Sequence, residues 1–190
     1  GSYDKAEWGI FRGATSSGKW RGLTEENYTV IPNVKEEDGH GHVLELQPKA
    51  YDTTPRWAIG NELYAEANKT PDALRYKITV SADVKKSDSY AMRLYFRKAD
   101  SDTGKTTDDS FICRSDATSI NGEWKTLTAT CELTLEELKN NGGGQYYNIS
   151  FVWGNKPTAP IYLDNITATV TPVYEMGEDY ADGVFCPQIT

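Results

Sequence analysis

Along most of this chain polar and apolar residues alternate, the pattern of strands that are buried on one face only. From Tyr76 to Val84, the side chains of Tyr76, Ile78, Val80, Ala82 and Val84 fall on one face, and Lys77, Thr79, Ser81 and Asp83 on the other. Tyr90 to Arg97 repeats the pattern, with Met92, Leu94 and Phe96 inward and Arg93, Tyr95 and Arg97 outward. The spacing predicts further strands over 42–47, 56–62, 110–114, 124–133, 146–153 and 161–170. Turn signals at Asp38-Gly39, Asp102-Thr103-Gly104, Asn121-Gly122 and Gly154-Asn155 separate them. Helical periodicity is evident once, over Leu135 to Lys139, where Thr134 and Glu137 are spaced for a capping box and Asn140 to Gly144 supplies a stop. Many short strands with one short helix in a loop predict an all-β fold, an antiparallel sandwich of the jelly-roll kind.

A chain of 190 residues is expected to form one domain. The sandwich is placed at 1–174. Residues 175–190 are acidic and non-periodic and read as a tail or linker, with docking through the apolar Val184-Phe185-Cys186 as the alternative. Cys113 and Cys131 stand nine residues either side of Gly122, so a hairpin through Asn121-Gly122 would set them opposite one another on neighbouring strands. Cys186 would then be the unpaired thiol. The cysteines form no C-x-x-C and no cluster with histidine, which argues against structural zinc.

Charge narrows the partners. The formal net charge is −8 and the pI about 4.8, which disfavours nucleic acid and anionic membrane and favours a neutral ligand. No apolar run approaches the roughly 20 residues that span a bilayer. Gly1-Ser2 reads as an expression scar, so the start of the chain says nothing about export. A monomer is expected.

Catalytic chemistry finds little support. The two histidines, His40 and His42, lie in a Gly-rich segment that reads as a solvated turn. No G-x-S-x-G elbow and no phosphate-binding glycine motif occurs. The carboxylates gather in turn regions (Glu36-Glu37-Asp38, Asp108-Asp109) rather than as facing strand pairs of the glycosidase kind. No catalytic residue is assigned. What remains is aromatic, guanidinium and amide chemistry, which suits sugars: rings stack on their C–H faces, and polar side chains bond their hydroxyls. Tyr95 between Arg93 and Arg97 on an outward strand face is the first candidate platform. Trp57 is a second candidate for stacking. Tyr146 and Asn148 share the outward phase of the 146–153 strand, and Trp153 closes that strand in the core phase.

The order of motifs resembles carbohydrate-binding modules of families 22 and 4, jelly rolls attached to bacterial xylanases and glucanases. Gly18-Lys19-Trp20-Arg21-Gly22 looks like the opening motif, and Arg56-Trp57-Ala58-Ile59-Gly60 like the Trp-x-Gly element. Tyr76 to Ala82, Gly122-Glu123-Trp124-Lys125-Thr126-Leu127 and Tyr162-Leu163-Asp164-Asn165-Ile166 match later strands of the pattern. The resemblance implies a sugar site on the concave face of one sheet, with Arg21 and Trp57 in ligand-binding positions. Phe111 stands where the family has a central Tyr, and Phe151-Val152-Trp153 replaces its Tyr-x-Glu, so the polar readout differs. It also implies a structural calcium held by Asp164 and an early carboxylate, for which Glu7 is the candidate. A plant cell-wall polysaccharide is the implied ligand, xylan or another β-glycan such as β-glucan or mannan. A covalently linked glycoside hydrolase and a secreted or cell-surface, extracellular location are implied with it. The alternative is a protein-binding adhesion or scaffold sandwich.

Overall fold

The computed structural model describes residues 28–36, 40–48, 56–86, 91–100, 111–139, 145–153 and 159–174. In chain order these form β1 (Tyr28–Glu36), β2 (Gly41–Pro48), β3 (Arg56–Ala58), α1 (Gly60–Ala67), β4 (Arg75–Lys86) and β5 (Ala91–Asp100). There follow β6 (Phe111–Arg114), β7 (Thr118–Ser119), β8 (Lys125–Leu133), α2 (Leu135–Leu138), β9 (Gln145–Trp153) and β10 (Ile161–Val173). Two antiparallel sheets result. The first is ordered β1-β2-β10-β4-β8; the second is ordered β3-β9-β5-β6, with β7 also paired to β5.

The alternation read in the sequence becomes the core. Tyr76, Ile78, Val80, Ala82 and Val84 of β4 are buried and meet Met92, Leu94 and Phe96 of β5 and Ile149 and Phe151 of β9. Each buried side chain of this size contributes about 1.5–3 kcal/mol by leaving water. Tyr76 keeps a polar tip in this apolar setting because its hydroxyl donates to the Thr70 carbonyl. The helix expected after Thr134 forms with its capping box: Glu137 N donates to Thr134 Oγ1 at 3.2 Å, and Thr134 N donates to Glu137 Oε2 at 2.8 Å.

Three expectations need correction. The strand expected over 56–62 ends at Ala58, and α1 begins two residues later. Gly60, Leu63 and Ala67 form a buried stripe at helical spacing, and the intervening Glu62, Ala65 and Glu66 favour helix. Strand β1 escaped the alternation pattern because its pairing with β2 shifts register between Ile31 and Val34, where Pro32 cannot donate a ladder bond.

The cysteines are the third case. Cys113 pairs with Phe96 in the second sheet, whereas Cys131 pairs with Ile78 in the first. No hairpin joins β6 and β8, because the chain crosses between sheets after β7. Each is an edge strand in the order of its own sheet, and the two thiols hydrogen-bond to each other across the sandwich as free cysteines.

Candidate functional site

Strand β5 sets the centre of the site. Met92, Leu94 and Phe96 are driven inward, which turns Arg93, Tyr95 and Arg97 to the outer face of the second sheet. Directly paired residues of antiparallel strands share a face. Arg93 pairs with Val152, Tyr95 with Ser150 and Arg97 with Asn148. On the flanks, Arg114 of β6 pairs with Tyr95, and Arg56 of β3 pairs with Ser150. One row across the sheet is therefore Arg56, Ser150, Tyr95 and Arg114. Strands lie about 4.8 Å apart, so this row spans about 14 Å.

Tyr95 is enclosed by cations. The Arg97 guanidinium carbon lies 4.4 Å from its ring centroid and that of Arg114 lies 6.0 Å away. Arg114 Nη1 also donates to the Tyr95 hydroxyl at 3.5 Å. Both contacts hold the phenol ring in place through its face and its tip. Beside it, Asn148 is 4% exposed and Ser150 0%, yet Asn148 Oδ1 and Ser150 Oγ have no hydrogen-bond partner. Buried polar atoms without partners cost free energy in the empty protein, and such atoms concentrate where a ligand supplies the missing bond.

The sequence-predicted residues divide on this geometry. Arg93, Tyr95, Arg97 and Asn148 come together on one face, although Asn148 is a buried floor of the site and not an exposed contact. Trp57 stands at a different register position. It pairs with Ile149, a core residue, so its position is one residue out of phase with Tyr95; Arg56 and Ala58 occupy the platform phase instead. Tyr146 pairs with Ala99, in phase with Tyr95, and Phe111 pairs with Arg97 across a bulge. Trp153 pairs with Met92, in the core phase the alternation gave it. Arg21 and Glu7 lie outside the described residues. Arg114 was missed, although alternation from the inward Cys113 points to it. Ser150 could be read from the same alternation as Asn148.

On the first sheet, His40 and Trp124 prove to be one unit. Their rings stack with centroids 3.9 Å apart, so His40 is packed and not a solvated turn residue. His40 Nε2 reaches Asp83 Oδ2 at 3.3 Å. Asn165 Nδ2 donates to Asp83 Oδ2 at 2.9 Å, and Thr126 Oγ1 donates to Oδ1 at 2.6 Å. Burial pulls the Asp83 carboxyl upward, but these hydrogen bonds and the His40 charge outweigh it and hold the group below the usual carboxylate range. Asp164 lies across from Asp83 in β10 and is 2% exposed. Among the described residues no group of three or more His, Cys, Asp or Glu gathers that could hold a metal ion, and Glu7, the early carboxylate of the calcium expectation, lies outside them.

Comparison with solved structures places this fold. The CBM22-1 xylan-binding domain of Paenibacillus barcinonensis Xyn10C superposes with a TM-score of 0.53 at 13% identity, covering 83% of this chain and 87% of that one. The fold is that of the family-22 modules. The tandem CBM22-1–CBM22-2 structure of the same enzyme gives a TM-score of 0.52 at 14% identity, over 81% of this chain and 45% of that one. The CBM22-1–GH10 modules of Clostridium thermocellum xylanase 10B, complexed with xylohexaose, give 0.50 at 15% identity. There this chain covers 27% of the partner structure and 83% of its own length. No protein-family model matches the sequence, and no curated protein matches it. No helix among the described residues is long and apolar enough to cross a membrane.

Proposed function

We propose that the chain is a non-catalytic module that binds a plant cell-wall polysaccharide, xylan or another β-glycan such as β-glucan or mannan, along the outer face of the second sheet. The observation that carries this reading is Tyr95, a fixed ring flanked by guanidiniums and set beside the buried, unpartnered Asn148 Oδ1 and Ser150 Oγ. A ring offers the stacking surface, and the buried amide and hydroxyl await bonds that sugar hydroxyls can complete. The fold likeness to xylan-binding modules supports it. As part of the same reading, the module serves to hold an attached glycoside hydrolase at its substrate, outside the cell.

The test is an affinity-gel series on xylan, glucomannan, mixed-linkage β-glucan and cellulose, followed by titration calorimetry of Tyr95→Ala on the glycan that retards the protein. Binding is expected in the micromolar to millimolar range, about −4 to −8 kcal/mol. Loss of the ring should weaken it about tenfold, or ~1.4 kcal/mol, with the melting temperature held. Failure of every polysaccharide to retard the chain would overturn the reading and favour the protein-binding alternative.

A further inference from the structure

Cys113 and Cys131 take no part in the candidate site, yet the fold brings them together from opposite sheets. Cys131 follows Leu127 and Ala129 in the inward phase of β8 and pairs with the buried Ile78. Cys113 pairs with the buried Phe96, and directly paired residues share a face, so it too turns into the sandwich. Strand β6 closes one end of the second sheet and β8 one end of the first, and the two strands are in contact. Both cysteines are partly buried and pack against the same core, and their thiols hydrogen-bond to each other.

A thiol is a weak donor and a weak acceptor, so the bond between the two holds little by itself. What the arrangement does supply is two sulfurs facing each other from separate sheets, and a disulfide forms only between cysteines that the backbone already sets close together. The segment between them contains β7, the crossing from one sheet to the other and the start of β8. A covalent bond here would close that loop and join sheet to sheet. It would also anchor the four-residue β6, on which Arg114, next to Cys113, donates to the Tyr95 hydroxyl.

We propose that Cys113 and Cys131 are a dithiol site that a small disulfide, of the oxidised glutathione class, converts into a cross-link bracing the two sheets. Cys113, partly exposed, meets the oxidant first. Its Sγ, as thiolate, attacks one sulfur of the small disulfide; that S–S bond breaks and one small thiolate leaves with its electron pair. Cys131 Sγ then gives up its proton and attacks Cys113 Sγ in the mixed disulfide, and the second small thiolate leaves. The protein loses two hydrogens and two electrons, and the small disulfide is reduced to two thiols. The bond from Cys131 favours the thiolate of Cys113, which suits it to the first step. Capping Cys113 removes the hydrogen-bond partner that pushes the Cys131 thiol up, which readies Cys131 for the second.

The test starts from the folded, reduced whole chain, incubated with oxidised glutathione near pH 8 and quenched with acid. It is then alkylated under denaturing conditions and digested without reduction. The peptides carrying Cys113 and Cys131 should be recovered joined to each other. Because a cross-link restricts the unfolded chain, the melting temperature of the oxidised protein should rise by roughly 5–10 °C, and dithiothreitol should return it to the starting value. Cys186→Ser should form the same cross-link, whereas Cys113→Ser should show no rise on oxidation. Glutathione left on Cys113 with Cys131 still open to alkylation would overturn the inference. So would a cross-link made through Cys186 instead, or a joined pair that melts no higher than the reduced protein. Peptide mapping of the unaltered chain needs no variant, so a variant that fails to fold does not block the test.

Discussion

Asp83 is a carboxylate on a sheet face, yet it is held by three donors, from Asn165, Thr126 and His40. Its partners come from β10, from β8 and from the residue just before β2, so one side chain ties three segments to β4. Asn165 can serve because it adopts a left-handed backbone conformation, φ 47°, next to the register shift of β10, a geometry Asn tolerates better than most residues. The folded-state pKa is lowered, so the stabilisation is present above the unfolded carboxyl value of about 3.9 and is lost as pH falls through the lower folded value. Thermal melts at pH 7 down to pH 2.5 should show the wild type losing its advantage over Asp83→Asn in that acid window. Parallel curves for the two proteins at all pH values would contradict this. None of the network was legible from residue spacing, because His40 and Asp83 lie 43 positions apart and Asn165 and Asp83 lie 82 apart. Tyr95 was legible for the opposite reason: its outward direction follows from its two neighbours, Leu94 and Phe96.

At the level of elements, alternation identified the long strands β4, β5, β8, β9 and β10 because each has one dry face and enough length to display it. It failed where an element was short or interrupted: β1 with its register shift, β3 with three residues, and α1, whose three buried positions are spaced for a helix but follow directly on a strand. It also could not say which sheet a strand joins, and that decided the cysteines. With β6 and β8 stacked edge over edge, the Cys131 thiol donates toward Cys113 and holds it below its ordinary value, while that same bond, burial and the nearby Glu132 and Glu137 push Cys131 up. A thiolate is the reactive form. Limited alkylation of the folded, reduced protein near pH 8, followed by peptide mapping, should therefore place the label on Cys113 well before Cys131. Equal labelling, or Cys131 first, would show that the two thiols are not arranged in this way.

For the molecule as a whole, the candidate face and the core belong to the same sheet. The residues that build the face on β5 and β9 alternate with residues that fill the interior. A glycan held there binds the folded state alone and should stabilise all of it. At a ligand concentration 100 times its dissociation constant the gain is about 2.7 kcal/mol, which for a domain of this size raises the melting temperature by roughly 5–10 °C. Circular dichroism and tryptophan emission should report the same shift; a shift in one signal alone would mean that the site melts separately from the core.

The row Arg56, Ser150, Tyr95 and Arg114 has a consequence in time. Its members are made in the order 56, 95, 114, 150, and the strand that joins the first to the second is the last of them to leave the ribosome. Until β9 is synthesised, β3 has no neighbour in its sheet and Tyr95 has no floor beside it. On the proposed function, a partly made chain would have no grip on a polysaccharide, and capture would begin with the closing steps of folding.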